Sequence, residues 1–246
     1  MSTDLLKGAW DIHVHCGPDV VPRAQDVVDL AHAARRARMA AVGIKDHTTS
    51  TAGRAYVLNR LFPDGPQFIS SVVLNPPAGG LSPCAAEAAL RQGVRIVYFP
   101  TCSSRHHVRT LGQSPFPAPA DFQGISILDE QGGLDPGADA ILALIAEYDA
   151  VLATGHLSPR ESLALLKRAA RHGVRRMLVT HASESVPGMS PDEQRQAAGL
   201  GACIEHSLFA ATDACPRPVP IEVIRDQIRY VGPDHEIGRA SCRERV

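Results

Sequence analysis

No apolar run in this 246-residue chain approaches the ~20 residues that a membrane-spanning helix needs. The opening residues Met1-Ser2-Thr3-Asp4-Leu5-Leu6-Lys7 also lack the apolar core of a signal peptide. Charge of one sign is missing too: 25 Lys and Arg face 26 Asp and Glu, for a net charge of −1. Nucleic acid and anionic membrane surfaces are therefore not expected as partners. Six cysteines without regular spacing argue against a disulfide framework or a zinc knuckle. These absences leave a cytoplasmic protein acting on a small molecule as the expectation, with a homo-oligomer possible. The chain is long enough for one large domain with a substantial core.

What is present is an alternation of short apolar runs with amphipathic segments. Strands are expected at 9–15, 40–45, 67–74, 94–100, 150–154, 175–180 and 201–205, with an extra short run at 124–128 that could add a hairpin. The runs lack clean period-two alternation, as parallel strands buried on both faces should. Ser158-Pro159-Arg160-Glu161 and Ser190-Pro191-Asp192-Glu193 each read as a capping Ser, a first-turn Pro and a capping-box Glu. Helices are also expected at 25–38, 82–92, 137–148 and 221–229. Strand, loop and helix repeated this way argue for a parallel α/β architecture. An open doubly wound sheet would favour a glycine-rich phosphate turn after the first strand. That strand ends instead in His13-Val14-His15-Cys16-Gly17-Pro18, which favours a (β/α)8 TIM-type barrel. Residues 101–121, with Pro115, Pro117 and Pro119, read as a long loop over the barrel mouth.

Eleven histidines are present, and several end apolar runs. In Asp11-Ile12-His13-Val14-His15 the two imidazoles are two apart on a strand, so both point to one face. Two neutral imidazoles suit a borderline-soft divalent ion such as zinc. One such pair is weak evidence, since packed histidines at strand ends are common. His156 after Ala153-Thr154-Gly155 and His181 after Val179-Thr180 strengthen it, because four histidines would then end three strands at one face. Lys45, in Ile44-Lys45-Asp46-His47, is costly as a buried ammonium. Either carbon dioxide carbamylates it to a carboxylate that bridges metals, or it lies at the rim and meets an acid or substrate. Glu205, ending the seventh strand, could orient a ligand histidine or touch substrate. Glu130 is expected to be exposed. His47, His106 and His206 are candidates for substrate contact, with His107 beside His106 in the long loop. Cys16 reads as packing, since no base partner stands out.

His13-x-His15, His156 and His181, with Ile44-Lys45-Asp46-His47, Phe99-Pro100-Thr101 and Ile204-Glu205-His206, resemble the amidohydrolase superfamily, including its phosphotriesterase-like and TatD-like branches. The resemblance covers residues 8–235 and is specific for fold and metal site, not for substrate. It implies one or two divalent ions, with zinc the expected metal, held by His13, His15, His156 and His181. It also implies water attacking a carbonyl or phosphoryl centre. The superfamily's strand-four bridge has no counterpart here, which leaves Lys45 as the substitute. Its strand-eight Asp is expected but absent, and Asp234 does not take its place. A carbonyl substrate (cyclic amide, lactone or ester) is favoured over a phosphoester because no basic cluster lines the strand ends. Two alternatives stand beside this. One is a metal-dependent decarboxylase or lyase on the same barrel, with Arg105 or Arg109 as carboxylate clamp. The other is a non-catalytic, truncated homologue.

Residues 236–246 resemble the conceptual translation of a sequencing adapter. They are expected to be a non-native tail without strand character, which takes Cys242 out of the count. The single barrel domain would then be residues 1–235, truncated before its eighth strand.

Overall fold

The computed structural model describes residues 3–239 apart from 113, 114, 117, 120 and 216, so Pro117, Cys242 and the rest of 240–246 lie outside the described residues. The chain begins with β1 (Trp10–His15), α1 (Val27–Arg36), β2 (Ala41–Lys45), α2 (Ala52–Leu61), β3 (Gln67–Ile69), β4 (Ser71–Val73), α3 (Pro83–Arg91) and β5 (Ile96–Tyr98). It continues through α4 (Arg105–Leu111), α5 (Pro136–Glu147), β6 (Val151–Ala153), α6 (Pro159–Arg171), β7 (Arg176–Val179), α7 (Pro191–Gly199), β8 (Ala202–Ser207), α8 (Ile221–Val231) and β9 (Glu236–Arg239). Every strand pair is parallel, in the orders β1-β2-β3 and β4-β5-β6-β7-β8-β9.

The strand expected at 67–74 is split at Ser70. Its first half pairs with β2 and its second with β5, and the Ser70 carbonyl accepts from the N–H groups of Arg95 and Ile96 at 3.1 and 3.2 Å. This change of partner bends one sheet into the next. Alternate side chains then separate into two cores. Val73, Ile96, Tyr98, Ala153 and Leu178 fill the inside, while Val72, Val97, Leu152 and Ile204 pack against the helices. Burial on both faces explains why the strand runs look uniformly apolar in sequence. The architecture is a TIM-type α/β barrel.

The capping chemistry is realised. Ser158 and Ser190 each accept from the N–H three residues on, and Glu161 and Glu193 return the bond to the cap N–H at 3.1 and 2.8 Å. Three expectations change, and one helix comes without a sequence signal. Residues 101–121 are not all loop, because Ser104 accepts from the His107 N–H at 3.0 Å and starts α4. Helix α2 has no side-chain cap and only a weak amphipathic pattern, so its sequence did not announce it. Residues 236–239, expected to lack strand character, run as β9 along β8 in the register Ile204↔Glu236 to Ser207↔Arg239. The edge of β8 offers backbone donors and acceptors that pair whatever the side chains, and Ile237 adds an apolar contact to the inner core. The run at 124–128 is no strand; it makes isolated bridges at Ile125 and, antiparallel, between Leu128 and Leu134. No helix among the described residues is long and apolar enough to cross a membrane.

Candidate functional site

Four strand ends deliver the histidines to one place. The cavity they line, about 50 Å³, is bounded by His13, His15, Lys45, His47, His156 and His181, with His107 and Glu184 beside them. The centroids of the His13 ring and those of His15 and His181 are 5.4 and 5.7 Å apart, and His156 and His181 are 4.9 Å apart. Backbone shape brings the last two in. Gly155 has φ +65°, and a Cβ there would sit 2.2 Å from the Phe99 carbonyl oxygen, so only glycine fits before His156. His181 itself has φ +32°, a conformation seldom adopted by a residue with a side chain, and its N–H donates to Glu205 Oε2 at 2.9 Å.

Glu205 is fully buried behind these rings. Its carboxylate lies 2.8 and 3.1 Å from His13 Nδ1. It therefore holds the Nδ1 proton and turns Nε2 toward the cavity, the arrangement by which carboxylates orient metal-ligating histidines. Of the two roles open to Glu205, orientation matches its place; it does not line the cavity. Lys45, opposite His15 in the β1–β2 register, is 1% exposed, so it is not a rim residue. Its Nζ lies 2.8 Å from His13 Nε2 and 4.2 Å from the centre of the Tyr98 ring.

His47 does reach the cavity. Its ring stacks on His15 at 4.6 Å, and its Nδ1 is 3.2 Å from the Thr101 hydroxyl, which Asn75 also contacts. His106 does not. It turns away and its Nε2 meets the Pro187 carbonyl at 3.1 Å, while His107, about 100° further around the helix, faces inward. His206 is also misplaced by the sequence reading. Successive strand residues face opposite ways, so with Glu205 inward His206 points out, 2.6 Å from Ser183 Oγ and 2.8 Å from Glu236 Oε2. Glu130, Arg109 and Asp234 are exposed, and neither Arg105 nor Arg109 lines the cavity. No aspartate stands on β9.

Sequence reasoning passed over Arg23, Asp19 and Cys102. Arg23 donates to Asp19 Oδ2 at 2.5 Å and approaches His15 Nδ1 at 3.2 Å. Cys102, fully buried, lies beside His107 and His156. The N-cap signal of Ser104, three residues before His107, could have placed that histidine on a helix facing the site. Cys16 fits its expected packing role: it is buried, and burial pushes its thiol up to about 11.

Burial holds His15 and His156 well below the ordinary imidazole pKa. His47 next and then Lys45 add to this at His15, and His107 and then His181 at His156. Both are thus neutral near pH 7, the protonation state a metal requires of a ligand. A set of imidazoles around a buried centre, one of them backed by a carboxylate, fits a borderline divalent cation. At His15 the fit has a condition. Arg23 only donates, so binding through His15 Nε2 requires the Nδ1 proton to turn to another acceptor, and Asp19 Oδ2 stands 3.8 Å away.

The whole chain superposes on an amidohydrolase from Pseudomonas aeruginosa with a TM-score of 0.64 at 14% identity, covering 78% of that protein. A variant of the PTE-like lactonase of Deinococcus radiodurans matches the whole chain at TM-score 0.57 and 13% identity, over 82% of its length. The probable dipeptidase PvdM from Pseudomonas aeruginosa matches 91% of this chain and 65% of its own, at TM-score 0.56 and 14% identity. At such identities the likeness concerns the fold. No curated protein matches the sequence. Residues 8–205, from just ahead of the strand bearing His13 and His15 to Glu205, match one family along their length, and the chain belongs to that family of unknown function, DUF6282.

Proposed function

We propose that this protein is a metal-dependent hydrolase in which activated water attacks the carbonyl centre of a small cyclic amide, lactone or ester. The observation that carries the reading is the convergence of His13, His15, Lys45, His156 and His181 on one buried cavity at the ends of four strands. His13, His15, His156 and His181 would hold the cation, with zinc the best match to the donor set. When bound, the ion supplies Lewis acidity, polarising a carbonyl and acidifying water. Glu205 keeps the His13 lone pair aimed at the centre and fixes the His181 backbone. The cavity is small, and His13, Lys45, His47, His156 and His181 in its wall are buried. The lyase alternative needs a carboxylate clamp, and neither arginine named for it reaches the cavity.

Lys45 is the candidate bridge. Its ammonium would lose one proton to free the amine, which would add to the carbon of CO2, forming an N–C bond as one C=O π bond opens and losing a second proton, so that a carboxylate replaces the buried ammonium beside His13. Removing metal and refilling the protein with zinc should then succeed better with bicarbonate than in CO2-free buffer, and Lys45→Met should abolish that difference. Metal analysis with turnover of a lactone and ester panel tests the whole reading. Purified protein that binds no divalent ion would sink it. Carbon dioxide release without hydrolysis would transfer the case to the lyase alternative.

A further inference from the structure

Beside the strand-end histidines stands a second group of ligating atoms. One sulfur and two imidazole nitrogens, from Cys102, His107 and His156, lie within 4.8 Å of one another, and all three residues are buried. We propose that Cys102, His107 and His156 form a binding site for a thiophilic divalent cation, Zn(II) or Cd(II), separate from the His13 and Lys45 end of the cavity. The inference deepens the hydrolase reading, since it names a second metal position, but the site itself would exist without hydrolysis.

The local fold builds this cluster deliberately from two segments. The Ser104 N–H donates to the Thr101 carbonyl at 2.8 Å and closes the turn that contains Cys102. The Ser104 hydroxyl then does two things: it accepts the His107 N–H at 3.0 Å, capping α4, and donates to the His156 carbonyl at 2.6 Å. One side chain thereby ties the helix bearing His107 to the strand end bearing His156. The two rings stack at 4.9 Å and 18°, with their Nδ1 atoms 2.8 Å apart.

Donor chemistry selects the ion. A thiolate and two imidazoles without a carboxylate suit zinc and softer ions, not magnesium or calcium. Tetrahedral zinc with Zn–N near 2.0–2.1 Å sets the two nitrogens about 3.3 Å apart. The Nδ1 atoms must part by about half an ångström, a movement that ring rotation supplies. His107 and His156 both line the cavity, so a fourth ligand can arrive from it. A cation at His156 Nδ1 leaves the proton on Nε2. His156 then serves this position, and the inner one keeps His13, His15 and His181 with Lys45. Binding also turns the Cys102 thiol into a thiolate, with release of one proton.

The test uses the full chain, stripped of metal and titrated with Co(II). The expected result is a thiolate-to-cobalt charge-transfer band in the near ultraviolet, lost in Cys102→Ser. His107→Ala should weaken Co(II) binding at that position by about tenfold or more. Cys215→Ser, whose sulfur borders the same cavity, should keep the band. A saturated wild-type protein without the band, or a band that survives Cys102→Ser, overturns the proposal. Should Cys102→Ser fail to fold, X-ray absorption of the zinc-loaded wild type decides: sulfur at zinc supports the site, and nitrogen and oxygen alone refute it. A cobalt–thiolate band without any ester or lactone hydrolysis would leave this site standing and remove the hydrolase reading. Hydrolysis without the band would do the reverse.

Discussion

Glu205 is the residue on which the site's geometry turns. It contacts His13 Nδ1 and the His181 N–H, two groups from different strands, while itself lying on a third. Glu205→Gln keeps the shape but removes the charge and one pure acceptor. The amide can still accept from one of them, yet it presents N–H to the other. We expect metal affinity to fall by about 10- to 100-fold, read by competition with a chromophoric chelator, while far-ultraviolet circular dichroism stays near wild type. Unchanged affinity would mean that the carboxylate serves packing alone. Electrostatics at neighbouring rings follow from crowding. Burial comes first and other cations or rings add to it, which is why His15 and His156 are neutral where an exposed histidine would be partly charged.

At the scale of elements, polar side chains set where helices begin and how they attach. Asp139 in the first turn of α5 binds Arg168 near the end of α6 through two oxygens at 2.6 and 2.8 Å, and His172 at 2.8 Å. The Arg168 bond, then the His172 bond, holds its carboxyl well below the usual range. A depressed folded-state pKa adds stability above the unfolded value near ~4, and that stability is lost as pH falls toward the folded value. The group is partly open to solvent, so the gain is discounted to less than about 1 kcal/mol. Asp139→Asn should therefore lower stability slightly at pH 7, with the difference shrinking below about pH 4. Urea melts across that range would contradict this if the gap widened toward acid.

For the whole molecule, the surface where β1 lies beside β9 is where copies of the chain can meet. The two strands lie side by side, and an apolar surface borders them. Trp10 on β1 is 57% exposed, beside a groove bordered by Leu6, Leu30, Met39 and Leu208. An exposed apolar patch of this kind invites association. Light scattering after size-exclusion chromatography should find concentration-dependent self-association, weakened by about tenfold or more in Trp10→Lys, since burying a large apolar side chain contributes ~1.5–3 kcal/mol. A monomer at every concentration would contradict this.

The amino-acid sequence by itself determined the parallel α/β layout, the capped helices α6 and α7, and the residues His13, His15, His156 and His181. Each rests on local rules: uniformly apolar runs alternating with amphipathic segments, cap chemistry, and histidines placed where apolar runs end. Lys45 was legible as a residue out of place in an apolar run, but not its depth. Only the tertiary structure decided that Lys45 lies under His13, that Glu205 faces inward and His206 outward, and that His107 enters the site while His106 leaves it. It also decided that Cys102 meets His156 across 54 positions of chain, and that residues 236–239 pair with β8. These outcomes depend on which strand lies beside which and how each is rotated, and no local pattern encodes a contact whose two halves are brought together only by closing the sheet.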